Sequence, residues 1–126
     1  MTVSKSYNAR LLDHSKNPRN FGKLDSPDLS HEESNSLCGD RIRMEARIED
    51  NKIKDVRFEG RGCAISIAAA SILSEMLKDK SIEECNNFSD DQLIKAMEAP
   101  VKKTRMSCAL LSLKVFRSAI KKRYKV

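Results

Sequence analysis

Tryptophan is absent from this 126-residue chain, and aromatic residues make up only 5% of it. No signature of a nucleic-acid-binding fold is present either, which argues against nucleic acid as the partner. No uninterrupted apolar run approaches the ~20 residues needed to span a bilayer, so a membrane is not expected to be a partner. The opening stretch, MTVSKSYNARLLDHSKNPRN, lacks an apolar block followed by a small-residue cleavage site, and the expected location is cytoplasmic. Repeats, low-complexity tracts and linkers are missing too. Residues 1–126 are therefore expected to form one domain, with flexible segments over 1–6 and 23–37. A catalytic triad, a P-loop and an acid/base carboxylate pair are all lacking, so a conventional enzyme is not expected.

What is present is charge and sulfur. Lys and Arg number 24 against 18 Asp and Glu, a net charge of +6. Much of the excess lies in VKKTR and KVFRSAIKKRYKV, where cations suit the last turn of a helix. A solvated basic face is the simplest account, and an acidic protein partner is a second use for it. Four cysteines, at 38, 63, 85 and 108, are dispersed along the chain. In a reducing compartment such thiols bind metal, react, or are simply buried.

The hydrophobic pattern places them. SYNARLLDHSK carries a weak helical pattern from Tyr7, Leu11 and Leu12, closed by the turn cluster NPRNFG. Residues 23–37 are polar and without period, and read as extended or mobile. Ile42, Met44, Ala46 and Ile48 then alternate with charged residues, the period of a strand with one buried face. After EDNK, Ile53 to Phe58 form a second strand with Val56 and Phe58 inward, making a hairpin. EGRGC breaks that strand at its two glycines. AISIAAASILSEMLKDK follows as a helix on Ile65, Ala68, Ala69, Ile72, Leu73, Met76 and Leu77. Ser81 with Glu84, and Ser89 with Gln92, are capping boxes opening two shorter helices before Pro100. CALLSLKVFRSAIKKRY is a final helix with Leu110, Leu113, Val115, Phe116, Ala119 and Ile120 on its apolar face. The fold class is α+β, a small antiparallel sheet with helices packed on one face.

On this map three cysteines sit at element boundaries. Cys38 leads into the first strand of the hairpin, Cys63 stands at the start of the long helix, and Cys108 at the start of the last one. The thiolate is both metal ligand and nucleophile, and the unpaired N–H groups of a helix N-terminus favour an anion. Antiparallel pairing brings Cys38 and Cys63 to the same end of the sheet, and Asp40 can project towards the same point. Three sulfurs and a carboxylate oxygen could form a tetrahedral site for zinc or an iron-sulfur cluster. Any one of these thiols could instead be a small buried hydrophobe. Cys85, within a short helix, is the rival fourth ligand, although an apolar helix-face residue is its simpler account. His14 and His31 are nitrogen donors without a partner at ligand spacing.

LCGD, FEGRGCAIS leading into a small-residue helix, and RMSCALLSL opening the last helix resemble the U-type iron-sulfur cluster scaffold family, which comprises IscU, SufU and the N-terminal domain of NifU. YNARLLDHSKNPRNFG resembles the family's opening segment, so the likeness runs over nearly the whole chain. It implies a three-stranded antiparallel sheet with helices packed on one face. It also implies a site of Cys38, Asp40, Cys63 and Cys108, holding zinc in a resting form or a transient [2Fe-2S] cluster. A cysteine desulfurase would supply sulfur, with Cys108 the acceptor in an IscU-like protein and Cys38 in a SufU-like one. Apo iron-sulfur acceptor or carrier proteins would take the cluster away. EAPVKK resembles the segment of IscU that an Hsp70-type chaperone recognises. The protein would act as a monomer or homodimer. Two departures stand out: Ser107 occupies the place of the histidine that precedes the third cysteine in IscU and NifU, and the stretch between Cys63 and Cys108 is short for SufU. The implied function is assembly and transfer of [2Fe-2S] clusters. The alternatives are a zinc-bound sulfurtransfer partner of a desulfurase and a small interaction domain with structural zinc.

Overall fold

The computed structural model describes residues 8–36 and 39–124. Strands β1 (Leu29–Asn35), β2 (Asp40–Glu49) and β3 (Lys52–Arg61) form one antiparallel sheet in the order β1-β2-β3. Helix α1 (Ala9–Lys16) precedes the sheet, and α2 (Ala64–Leu77), α3 (Ile82–Asn86), α4 (Asp90–Ala96) and α5 (Met106–Tyr124) follow it. A single 3₁₀ turn, Lys103–Arg105, leads into α5. No helix among the described residues is long and apolar enough to cross a membrane.

The hairpin forms where the alternation places it. Ile42, Met44, Ala46, Val56 and Phe58 are fully buried, as is Ile53. Ile53 and Val56 can both face inward because the register slips by one residue. Arg47 pairs with Asp55 but Ile48 pairs with Ile53, leaving Lys54 as the extra residue of a bulge. The two-residue connection, Asp50 and Asn51, adopts positive φ at both positions, a conformation these side chains tolerate.

Helices α2 and α5 lie on one face of the sheet and against each other, and α1 packs on α2. Between sheet, α5 and α1, helix α2 is buried nearly all round. The single apolar stripe expected there is therefore too narrow, since Ser66, Ser71 and Ser74 are buried as well while Met76 is only partly covered. Both capping boxes are present, at Ser81 with Glu84 and Ser89 with Gln92. On α5, Leu111 is buried, whereas Leu110 is only partly so.

Two expectations change. Of the extended or mobile alternatives for residues 23–37, residues 29–35 take the extended one as strand β1, paired with β2 along its length. Its half-buried inward positions after Leu29 are His31, Glu33 and Asn35, which meet the polar flank of α5. Glu33 pairs with Lys114 at 3.4 Å, and His31 lies 3.4 Å from Lys122. A strand that faces cations shows no hydrophobic alternation. Upstream, Asp28 donates its N–H to Ala46 and accepts from Ile48, so the approach to β1 is also held. Secondly, β3 continues through Gly60 to Arg61 rather than breaking at the glycines. A Cβ at Gly60 would lie 2.1 Å from the Arg41 carbonyl oxygen, so glycine here permits close strand pairing. Residues 1–6, Tyr7 and Leu37 lie outside the described residues.

Candidate metal centre

The strand register builds the site. Because Arg41 pairs with Arg61, Asp40 at the start of β2 sits across from the point where the chain leaves β3. Two residues on, Cys63 is the N-cap of α2 in extended conformation. Helix α5 brings Cys108, its third residue, to the same end of the sheet. The ligand atoms of Asp40, Cys63 and Cys108 all lie within 4.8 Å of one another, the only such group of three among the described residues. Asp40 and Cys108 are buried, and Cys63 is half-buried. Cys38 lies outside the described residues. Its neighbour Gly39 adopts φ +71° and donates its N–H to Asn35 at 2.8 Å, a turn that delivers the chain into Asp40.

A fully buried carboxylate is costly unless hydrogen-bonded, and Asp40 is held by its neighbours. Oδ1 accepts the Cys63 N–H at 2.9 Å, and Oδ2 accepts the Ser66 hydroxyl at 2.6 Å. The Cys63 Sγ is 3.9 Å from Oδ2 and 3.7 Å from Ser66 Oγ. Gly62 makes room, since a Cβ there would come within 2.3 Å of Asp40 Oδ1 and 3.0 Å of Ser66 Oγ. At the rim, Asn35 Nδ2 donates to Ser107 Oγ at 2.9 Å, tying the end of β1 to the start of α5. The residue before Cys108 thus carries a hydroxyl in place of an imidazole.

The remaining candidates lie elsewhere. Cys85 is completely buried in the core, where burial pushes its thiol up to about 11. A neutral, enclosed thiol suits a packing role. His14 is also buried: its Nδ1 is 2.7 Å from Ser71 Oγ and its Nε2 3.8 Å from Glu75. Burial, aided by Arg19 and Arg10, holds it below the usual imidazole range. His31 pairs with Glu33 at 3.0 Å. Ser66 and Gly62 escaped the sequence reading. The only signal was a serine one turn after a cysteine at a helix start, and a glycine directly before that cysteine.

The donor set, two soft thiols and one harder carboxylate, fits zinc or iron. Comparison with known proteins bears on the same question. The profile of the NifU-like N-terminal domain family matches residues 6–126. The iron-sulfur cluster assembly scaffold protein IscU 1 of Archaeoglobus fulgidus is 36% identical over 114 residues, covering 90% of this chain and 74% of that protein. The zinc-dependent sulfurtransferase SufU of Bacillus subtilis is 34% identical over 133 residues, covering 92% of this chain and 90% of the relative. The crystal structure of a nitrogen-fixing NifU-like protein (N-terminal) from Brucella abortus superposes with a TM-score of 0.80 over 96% of both chains. At 19% identity it speaks to the fold alone.

Proposed function

The chain belongs to the family of NifU-like N-terminal domains, and on that premise we propose that it is a scaffold on which [2Fe-2S] clusters are assembled and from which they are transferred. The observation that carries this is the convergence of Asp40, Cys63 and Cys108 from three separate elements onto one point. Cys38, one residue before the turn glycine, is the proposed fourth ligand. In the absence of a cluster the same four residues would hold zinc.

The cluster is cargo, so its ligands must bind without trapping. Thiolates are strong, soft partners for iron, and a carboxylate oxygen is a harder and weaker one. Asp40 is therefore the proposed point of release. Sulfur arrives from a cysteine desulfurase when a thiolate of this chain attacks the outer sulfur of its persulfide and displaces the desulfurase's cysteine thiolate, which requires an accessible thiol. Two electrons from an external reductant then release that sulfur as sulfide for the cluster. Cys108 is the acceptor in this reading, and its burial means that the chain around it moves when the desulfurase docks. Apo iron-sulfur acceptor or carrier proteins receive the cluster, and an Hsp70-type chaperone acting on residues 98–103 would assist. The protein would work in the cytoplasm as a monomer or homodimer, as scaffold and sulfur acceptor rather than as a conventional catalyst.

A second reading, zinc-dependent sulfur transfer with Cys38 as acceptor, is favoured by the likeness to the sulfurtransferase of Bacillus subtilis and by Ser107. Anaerobic reconstitution with iron, sulfide and reductant, followed by absorbance and metal analysis, separates the two. The scaffold reading expects a cluster that passes to an apo-acceptor. Stable zinc with no transferable cluster would support sulfur transfer instead. Mass spectrometry of persulfidated peptides then chooses between Cys108 and Cys38.

A further inference from the structure

Three serines of α2 are buried, and they do different work. Ser71 Oγ accepts the Arg19 N–H at 2.8 Å and lies beside His14, while Ser74 Oγ accepts from Asn20 at 3.0 Å. Both hold α1 and the loop after it against α2. Ser66, in the first turn of α2, instead meets the candidate metal centre and gives its hydroxyl proton to Asp40 Oδ2. At 2.6 Å this is a short, charge-assisted bond to a carboxylate that is completely buried. Oδ2 also lies 3.9 Å from Cys63 Sγ.

Resting on the scaffold reading, we propose that Ser66 is a positioning residue, a hydroxyl latch that stabilises Asp40 in the metal-free protein and competes with the cargo for Oδ2. Burial makes an ionised carboxylate depend on its donors. When a cation shares the charge on Oδ2, the hydroxyl bond is worth less than it was in the empty site. A group that stabilises the empty form more than the loaded one lowers affinity for the cargo and favours its release. The opposite role, in which an outer donor only orients a ligand, would raise affinity. Orientation is already supplied from the other side by the Cys63 N–H on Oδ1 and by the close approach that Gly62 permits. The sign of the change on removing the hydroxyl therefore separates latch from brace.

The test uses the full chain and Zn²⁺ titrated against a chromophoric chelator, with Co²⁺ absorption reporting the ligand set. Ser66→Ala is expected to bind Zn²⁺ about tenfold more tightly, while the metal-free variant melts at a lower temperature. Ser66→Thr, which keeps the hydroxyl, is expected to return towards wild type in both. In an Asp40→Ala background, Ser66→Ala should change Zn²⁺ affinity no further, because the latch acts through that carboxylate. Equal or weaker Zn²⁺ binding by Ser66→Ala, or an effect that persists without Asp40, overturns the proposal. A Ser66→Ala protein that folds only with Zn²⁺ is the extreme of the expected result, and one that stays unfolded with Zn²⁺ overturns it. The scaffold reading fails separately: wild-type protein that takes up neither Zn²⁺ nor a cluster removes both ideas, whereas normal cluster assembly with unaltered Ser66→Ala affinity removes only the latch.

Discussion

Adding one methyl group at Gly62 should disturb the candidate centre while every proposed ligand residue is kept. An ideal Cβ there would stand 2.3 Å from Asp40 Oδ1, 2.8 Å from Asp40 Cγ and 3.0 Å from Ser66 Oγ. Contacts this close must be relieved by movement, and the carboxylate has little freedom. It is completely buried and held at 2.9 Å by the Cys63 N–H and at 2.6 Å by Ser66. Turning it away gives up hydrogen bonds to a charged group, worth about 1.5–3 kcal/mol each. Keeping it in place strains α2 and β3, and overpacking of this kind costs about 1–3 kcal/mol. By either route Gly62→Ala should lose roughly 2–3 kcal/mol, which for a domain of this size lowers the Tm by on the order of 10 °C. Circular dichroism melts of metal-free protein measure it. Since the clash is with a carboxylate, Asp40→Ala should relieve it, and the double variant should lose less than the sum of the single losses. A Gly62→Ala protein that melts with wild type, or strictly additive losses in the double variant, would refute the reasoning.

Asp40→Ala is expected to keep the fold and slow cluster release. Equal rates of transfer to an apo-acceptor in variant and wild type would remove Asp40 as the point of release. Cys85→Ala should leave the bound zinc at its wild-type stoichiometry while lowering stability by about 1–2 kcal/mol, since it deletes a buried sulfur from the core. A fall in zinc content would bring Cys85 back as a ligand. His14, held low by burial, makes stability depend on pH below neutrality. Above the unfolded-state value near 6.5 the imidazole is neutral in both states. As pH falls below that, the unfolded chain takes up the proton first and stability declines until the folded-state value is passed. Urea unfolding between about pH 7 and pH 5 should therefore show a shallower slope in His14→Asn than in wild type. Identical slopes would exclude His14 as the source.

Most elements were legible because their signals are local. The capping boxes at Ser81 and Ser89, the small-residue run of α2 and the alternation of β2 each lie within a single helix or strand. The hydrophobic pattern did not locate strand β1, the third strand that the resemblance implied, because its inner face meets Lys114 and Lys122 of α5 rather than an apolar core. The bulge at Lys54 was equally hidden, since it exists only in the pairing of two strands.

The same division runs through the site. Cys63 and Cys108 could be placed at helix starts, and Asp40 at the head of a strand, from patterns within a few residues of each. Their meeting within 4.8 Å was decided by strand register and by the packing of α5 across the sheet, contacts between segments 23 and 45 residues apart. Nor does any local rule pair Ser66 with Asp40 or explain why position 62 is glycine. A buried carboxylate takes its donors from whatever chain surrounds it, and only the folded protein determines which chain that is.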